Sequence, residues 1–143
     1  MHHVSIRTAD IQAAIAFYEG LGFTVTERFT TGYTLACWLE GFDGRLELMQ
    51  IPEPAPAPDP FGDEHYVGYY HFTLDLTNVA TSLPAWLKTK KAEYAAKEQP
   101  LKILLEPEQQ MIGEQVYEVA FVADTDGLPI ELLRRLKQAS QSR

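Results

Sequence analysis

Apolar and polar residues alternate from His3 to Thr8, with Val4 and Ile6 on one side and His3, Ser5 and Arg7 on the other. That is the pattern of a strand with one buried face. Asp10 then stands where a helix cap belongs, and Ile11, Ala14, Ile15 and Tyr18 recur at helical spacing up to the Gly20-Leu21-Gly22 break. Residues 23–29 and 33–39, rich in Thr, Val and aromatics around Thr31-Gly32, predict a hairpin. After the turn at 41–44, residues 45–51 predict a fourth strand, with Leu46 and Leu48 towards the helix and Arg45, Glu47 and Met49 on the other face. The first module is therefore strand, helix, three strands.

The opening pattern returns. The run from His3 to Ile11 (His, apolar, hydroxyl, apolar, charged, then Asp10 and an aliphatic residue) is matched by the run from His71 to Val79, with Asn78 in the place of Asp10. A second echo closes each half: Asp43-Gly44 leads to Leu46-Glu47-Leu48, and Asp126-Gly127 leads to Ile130-Glu131-Leu132. A long period used only twice predicts two pseudo-symmetric halves, not a repeat array. The expected layout is a single domain over 1–135, with module one at 1–51, a linker at 52–68, module two at 69–135, and a frayed C-terminal tail at 136–143. Prolines at 52, 54, 56, 58 and 60 exclude a helix or a central strand from the linker and make it a stiff spacer. In module two, a strand over 70–76 precedes a helix starting at Thr81 or Ser82, with Pro84 in its first turn, and running towards Ala96. Strands are expected at 116–123 and 129–134. The polar stretch 97–115, with Pro100 and Pro107, reads as a long loop of the kind that covers a site.

Composition narrows the possibilities. A chain of 143 residues, 45% hydrophobic and 22% charged, can bury a sizeable core. Its net charge of −8 argues against nucleic acid or an anionic membrane surface as partner, since both reward clustered Lys and Arg. The sequence shows neither a long apolar run nor a signal-peptide pattern, so a cytoplasmic protein is expected. The single cysteine, Cys37, has no intramolecular disulfide partner and reads as a small core residue.

The candidate chemistry lies on the strand faces that point away from the helices. His3, Glu47, His71 and Glu131 occupy those faces, and two imidazoles with two carboxylates suit divalent Ni, Co, Zn, Mn or Fe. Taken singly, each has an ordinary alternative: a solvated terminus, a hydrogen-bonded core histidine, a solvent-facing glutamate. What favours a metal site is that His matches His and Glu matches Glu across a repeat found independently of them.

These residues carry a resemblance. His3-x3-Arg7-x2-Asp10, followed by Ala14 to Tyr18 and Gly22-Phe23, together with Leu46-Glu47-Leu48, Tyr70-His71 and Val119 to Asp126-Gly127 leading to Glu131, resembles the vicinal oxygen chelate superfamily. The resemblance is closest to the short bacterial type of glyoxalase I, and it covers His3 to about Arg135. It implies an α+β fold of two paired βαβββ modules forming a curved mixed β-sheet cavity, with His3, Glu47, His71 and Glu131 as metal ligands. It further implies a lyase or isomerase that moves a proton through a metal-bound enediolate of a thiol adduct of a 2-oxoaldehyde, with Glu131 as base and Glu47 as its counterpart. Ni or Co would be favoured as the metal, Arg7 would receive a carboxylate of glutathione as cosubstrate, and the protein would be a homodimer. The chain departs from the family at Ile51, where Asn is usual, and at 108–114, which replaces a loop containing glycine and lysine.

Two other classes stay open on the same fold. A ring-cleaving dioxygenase or a fosfomycin-modifying thiol transferase would use two His and one Glu, without requiring Glu47. A bleomycin-sequestering binding protein would use a groove lined by aromatics such as Tyr33, Trp38, Tyr66, Tyr69 and Tyr70, and generally lacks the metal residues.

Overall fold

The computed structural model describes residues 1–136, so that the tail expected at 136–143 falls, Leu136 apart, outside them. The elements in order are β1 (Val4–Thr8), α1 (Ile11–Leu21), β2 (Thr24–Thr31), β3 (Thr34–Gly41), β4 (Gly44–Gln50), β5 (Phe72–Asp75), α2 (Leu83–Ala96), β6 (Lys102–Ile112), β7 (Gln115–Ala123) and β8 (Pro129–Arg135). This is an α+β chain with two mixed four-stranded sheets, ordered β1-β4-β3-β2 and β5-β8-β7-β6. His3 and His71 stand immediately before β1 and β5 and not within them; in each sheet that strand lies parallel to the strand bearing Glu, and the other pairings are antiparallel.

The chain forms two compact units. The first comprises Met1–Pro58 with Thr125–Gly127, and the second comprises Asp59–Asp124 with the chain from Leu128 on. The proline-rich segment is thus shared between the units, and it contains no helix or strand.

In the first unit the Asp10 carboxylate accepts from the backbone N–H groups of Gln12 and Ala13, both at 3.1 Å, which caps α1. Gly22, at φ +125°, ends that helix in a conformation that disfavours any side chain. Ala14 and Tyr18 of the helix and Leu39 and Leu48 of the sheet are fully buried. Each buried Leu contributes roughly 1.5–3 kcal/mol. Leu46 and Leu48 point inward on β4, so Glu47 between them must point the other way. Residues 125–127 join this unit through Asp126, whose carboxylate accepts from the Thr8 hydroxyl at 2.6 Å and from the Ala9 N–H at 3.1 Å.

In the second unit the Ser82 hydroxyl caps α2, with proline in the first turn. Glu118 accepts from the Leu83 N–H and from Arg134, tying the start of the helix to β7 and β8. The long loop expected over 97–115 is largely a strand. Lys102–Ile112 forms the edge strand β6 and turns at Gly113 into β7. Its register against β7 shifts twice, between Ile103 and Leu105 and between Leu105 and Glu108, with Pro107 inside the second shift. Those shifts break the alternation that marks a strand, and an edge position tolerates the proline. Cys37 is buried as expected, and burial pushes its thiol pKa up. No described helix is long and apolar enough to cross a membrane.

Candidate metal centre

The parallel pairing of β1 with β4 sets Ser5 beside Glu47, and the pairing of β5 with β8 sets Thr73 beside Glu131. In both units the hydroxyl donates to the carboxylate at 2.8 Å, from Ser5 Oγ to Glu47 Oε1 and from Thr73 Oγ1 to Glu131 Oε1. Two residues before each hydroxyl stands the histidine, at 3 and at 71. The antiparallel neighbour of each glutamate is aromatic, Trp38 opposite Glu47 and Phe121 opposite Glu131. The same group of His, hydroxyl, Glu and aromatic is thus built twice.

In the first unit His3 Nε2 lies 3.6 Å from Glu47 Oε2, with the carboxylate mostly covered. The indole Nε1–H of Trp38 donates to the same oxygen at 2.9 Å. That bond first, then the Ser5 hydroxyl and the nearby His3, hold the Glu47 carboxyl below its usual range, while burial acts in the opposite sense. Behind His3 lies His2, with the two Nδ1 atoms 2.7 Å apart. His2 Nε2 is 2.6 Å from Arg45, which can only donate, so Nε2 accepts and Nδ1 of a neutral His2 carries the proton towards His3 Nδ1; a neutral His3 then keeps its own proton on Nε2, and holding an ion through Nε2 would require His3 to give up its bond with His2. Arg45 also bridges to Glu40 at 2.6 Å. A depression of about 650 Å³ lined by Met1, His2 and residues 40–45 lies here.

In the second unit one hydroxyl serves two groups. Thr73 Oγ1 gives its only proton to Glu131 and sits 3.3 Å from His71 Nδ1, so Nδ1 is left as the donor and, in a neutral His71, Nε2 keeps its lone pair. This is the tautomer that a metal-binding imidazole needs. Phe121 packs against Phe61, Tyr70 and His71, at centroid distances of 5.2, 5.9 and 4.9 Å. Burial, and secondarily the Glu131 charge, raise the Tyr70 phenol pKa.

Of the site residues expected from sequence, His3 and Glu47 stand together in the first unit, and His71 and Glu131 share Thr73 in the second. Arg7 is exposed on β1 across from Met49, and makes no hydrogen bond or ion pair among the described residues. Among the described residues no group of three or more His, Cys, Asp or Glu side chains stands in metal-holding geometry. Each unit therefore offers two donors, one nitrogen and one oxygen, which fit a divalent ion by type as half of a ligand set. Sequence reasoning missed Ser5, Thr73, Trp38 and Phe121 as parts of the site. The hydroxyls were visible in the repeat, where Ser5 and Thr73 hold matching places, whereas the aromatics lie on strands with no recurring motif.

A model of the Glyoxalase/Bleomycin resistance protein/Dioxygenase superfamily matches residues 1–132. No curated protein matches the chain in sequence. Among solved structures, a glyoxalase family protein from Enterococcus faecalis superposes with a TM-score of 0.64 at 23% identity, covering 94% of this chain and 96% of its own. One from Bacillus cereus gives 0.67 at 17% identity, covering 96% and 94%. The trypanothione-dependent glyoxalase I of Leishmania major gives 0.59 at 24% identity, covering 94% and 85%. At such identities the likeness establishes the fold.

Proposed function

Because the chain belongs to the Glyoxalase/Bleomycin resistance protein/Dioxygenase superfamily, we propose that it is a metal-dependent lyase or isomerase of the glyoxalase I type, acting on a thiol adduct of a 2-oxoaldehyde. The observation that carries this reading is the carboxylate held by a strand hydroxyl beside a histidine, present in both units. A binding protein that only sequesters its ligand has no need to orient two carboxylates in the same way. His3, Glu47, His71 and Glu131 are the residues that would hold the ion, at one metal per chain. When bound, a divalent ion supplies electrophilic stabilisation of negative charge developing on a carbonyl oxygen.

The remaining chemistry falls to the chain's own side chains. Glu131 has a hydrogen bond to one oxygen only among the described residues, from Thr73, so Oε2 is free to take a proton from the carbon next to the carbonyl and return it to the neighbouring carbon. Thr73 and Ser5 orient the carboxylates. Arg7, exposed and unpaired among the described residues, would receive a carboxylate of the thiol cosubstrate, for which its planar fork is suited. Glutathione is the expected thiol.

Calorimetric titration of metal-stripped protein with Ni(II), Co(II), Zn(II) and, anaerobically, Fe(II) tests the reading. One tight site per chain is expected, lost in His71→Ala and weakened in Glu47→Gln, followed by turnover of methylglyoxal with glutathione under the preferred metal. Glu131→Gln should abolish turnover more completely than Glu47→Gln. Absence of binding by all four ions would leave a ligand-holding fold without this chemistry.

A further inference from the structure

We propose that Trp38 is a positioning residue that makes the two recurring glutamates unequal: its indole pins the one oxygen of Glu47 that Ser5 leaves free, so that Glu47 is a fixed ligand and Glu131 alone keeps a mobile oxygen. The inference rests on the assignment of ligands and base above. It is carried by the comparison of two equivalent places in the fold. Glu47 and Glu131 occupy the same position in their sheets, each flanked by a hydroxyl on the parallel neighbour and by an aromatic ring on the antiparallel one. The hydroxyl is kept in both, as Ser5 and Thr73, with the same 2.8 Å bond. The antiparallel ring differs, and with it the supply of a donor. Trp38 has a ring N–H and donates it to Glu47 Oε2 at 2.9 Å, whereas Phe121 has no donor to offer Glu131.

Two donors, one at each oxygen, fix the rotation of the Glu47 carboxylate as well as its location. The indole itself cannot follow a moving partner. Phe29 and His2 meet it edge-on, at centroid distances of 5.3 and 5.0 Å, and the Arg45 guanidinium lies 5.4 Å from the ring. Arg45 is in turn held by Glu40 and His2. The clamp is therefore anchored on all described sides by residues of the first unit. A Phe at position 38 would keep nearly all of this packing and remove only the donor, giving the first unit the chemistry that the second already has.

The test uses the full-length protein with Trp38→Phe, and Phe29→Leu as a control that loosens packing on the same ring without touching Glu47. Co(II) affinity by calorimetry should fall about 10–100-fold in Trp38→Phe, as when other supports of metal ligands are removed, and stay within about threefold in Phe29→Leu. The visible spectrum of the Co(II)-loaded protein should change in Trp38→Phe, reporting altered carboxylate coordination, and stay unchanged in Phe29→Leu. In the Glu131→Gln background, adding Trp38→Phe should raise turnover at least tenfold, because Glu47 then gains a free oxygen. Wild-type affinity, spectrum and Glu131→Gln turnover in the Trp38→Phe proteins would overturn the role of Trp38 while leaving the metal reading intact. Wild-type protein that binds no Co(II) would overturn the metal reading, and this inference with it.

Discussion

The hydroxyls of Ser5 and Thr73 do a small job twice, and they do not do it equally. Ser5 supports Glu47 together with Trp38, whereas Thr73 is the one polar support of Glu131 among the described residues and also meets His71 Nδ1. Thr73→Ala therefore removes the partner of two proposed ligands at once. It should weaken metal binding by about 10–100-fold, more than Ser5→Ala does, with Thr73→Ser restoring it. Titration calorimetry ranks the variants, and equal affinities for wild type and Thr73→Ala would remove the hydroxyl from the site. The four candidate donors were legible because a duplicated pattern singles out His and Glu against the background of ordinary strand residues. Trp38 was not, since a Trp in a strand is far more often core than clamp, and only the pairing of β3 with β4 puts its ring N–H at a carboxylate.

At the scale of elements, what set the fold in the sequence was periodicity. The alternation of β1, the helical spacing of α1 and the inward Leu46 and Leu48 all correspond to buried faces in the structure. Leu48 is fully buried next to Glu47 on β4, so Leu48→Ala should cost about 2–5 kcal/mol, read from the denaturant midpoint. A loss under 1 kcal/mol would mean that β4 is not anchored as described. The same periodicity failed over β6, where two register shifts and Pro107 interrupt the alternation, and an eleven-residue edge strand read as a loop. Turn and cap chemistry was more robust: Asp10, Gly22 and Ser82 act where their residue types indicate, because capping depends on one side chain or one φ value and not on a run.

For the molecule as a whole, stability at alkaline pH is set in part by Tyr94, a nearly fully buried phenol in α2. Burial, and then the nearby Glu93 charge, raise its pKa well above the ordinary tyrosine value. Below about pH 10 the phenol is neutral in both folded and unfolded chains and contributes no pH dependence. Above that the unfolded chain loses the proton first, and stability declines as pH rises, by up to about 1.4 kcal/mol per pH unit for one proton. Tyr94→Phe should flatten this decline in denaturant titrations between pH 10 and 12, and an unchanged slope would exclude Tyr94 as its source. The acidic excess, a net charge of −8, is a property of the same scale and disfavours association with polyanions.

The three residues Thr125–Gly127 make the first unit depend on chain that follows most of the second. Asp126 closes the end of β1 by accepting from Thr8 and Ala9, yet it is encoded long after the rest of the unit it completes. In this chain a gene fragment that stops at Pro58 omits the closing carboxylate, and a ribosome must finish most of the second unit before the first has all its parts. Completion of the first unit is therefore a late event of synthesis.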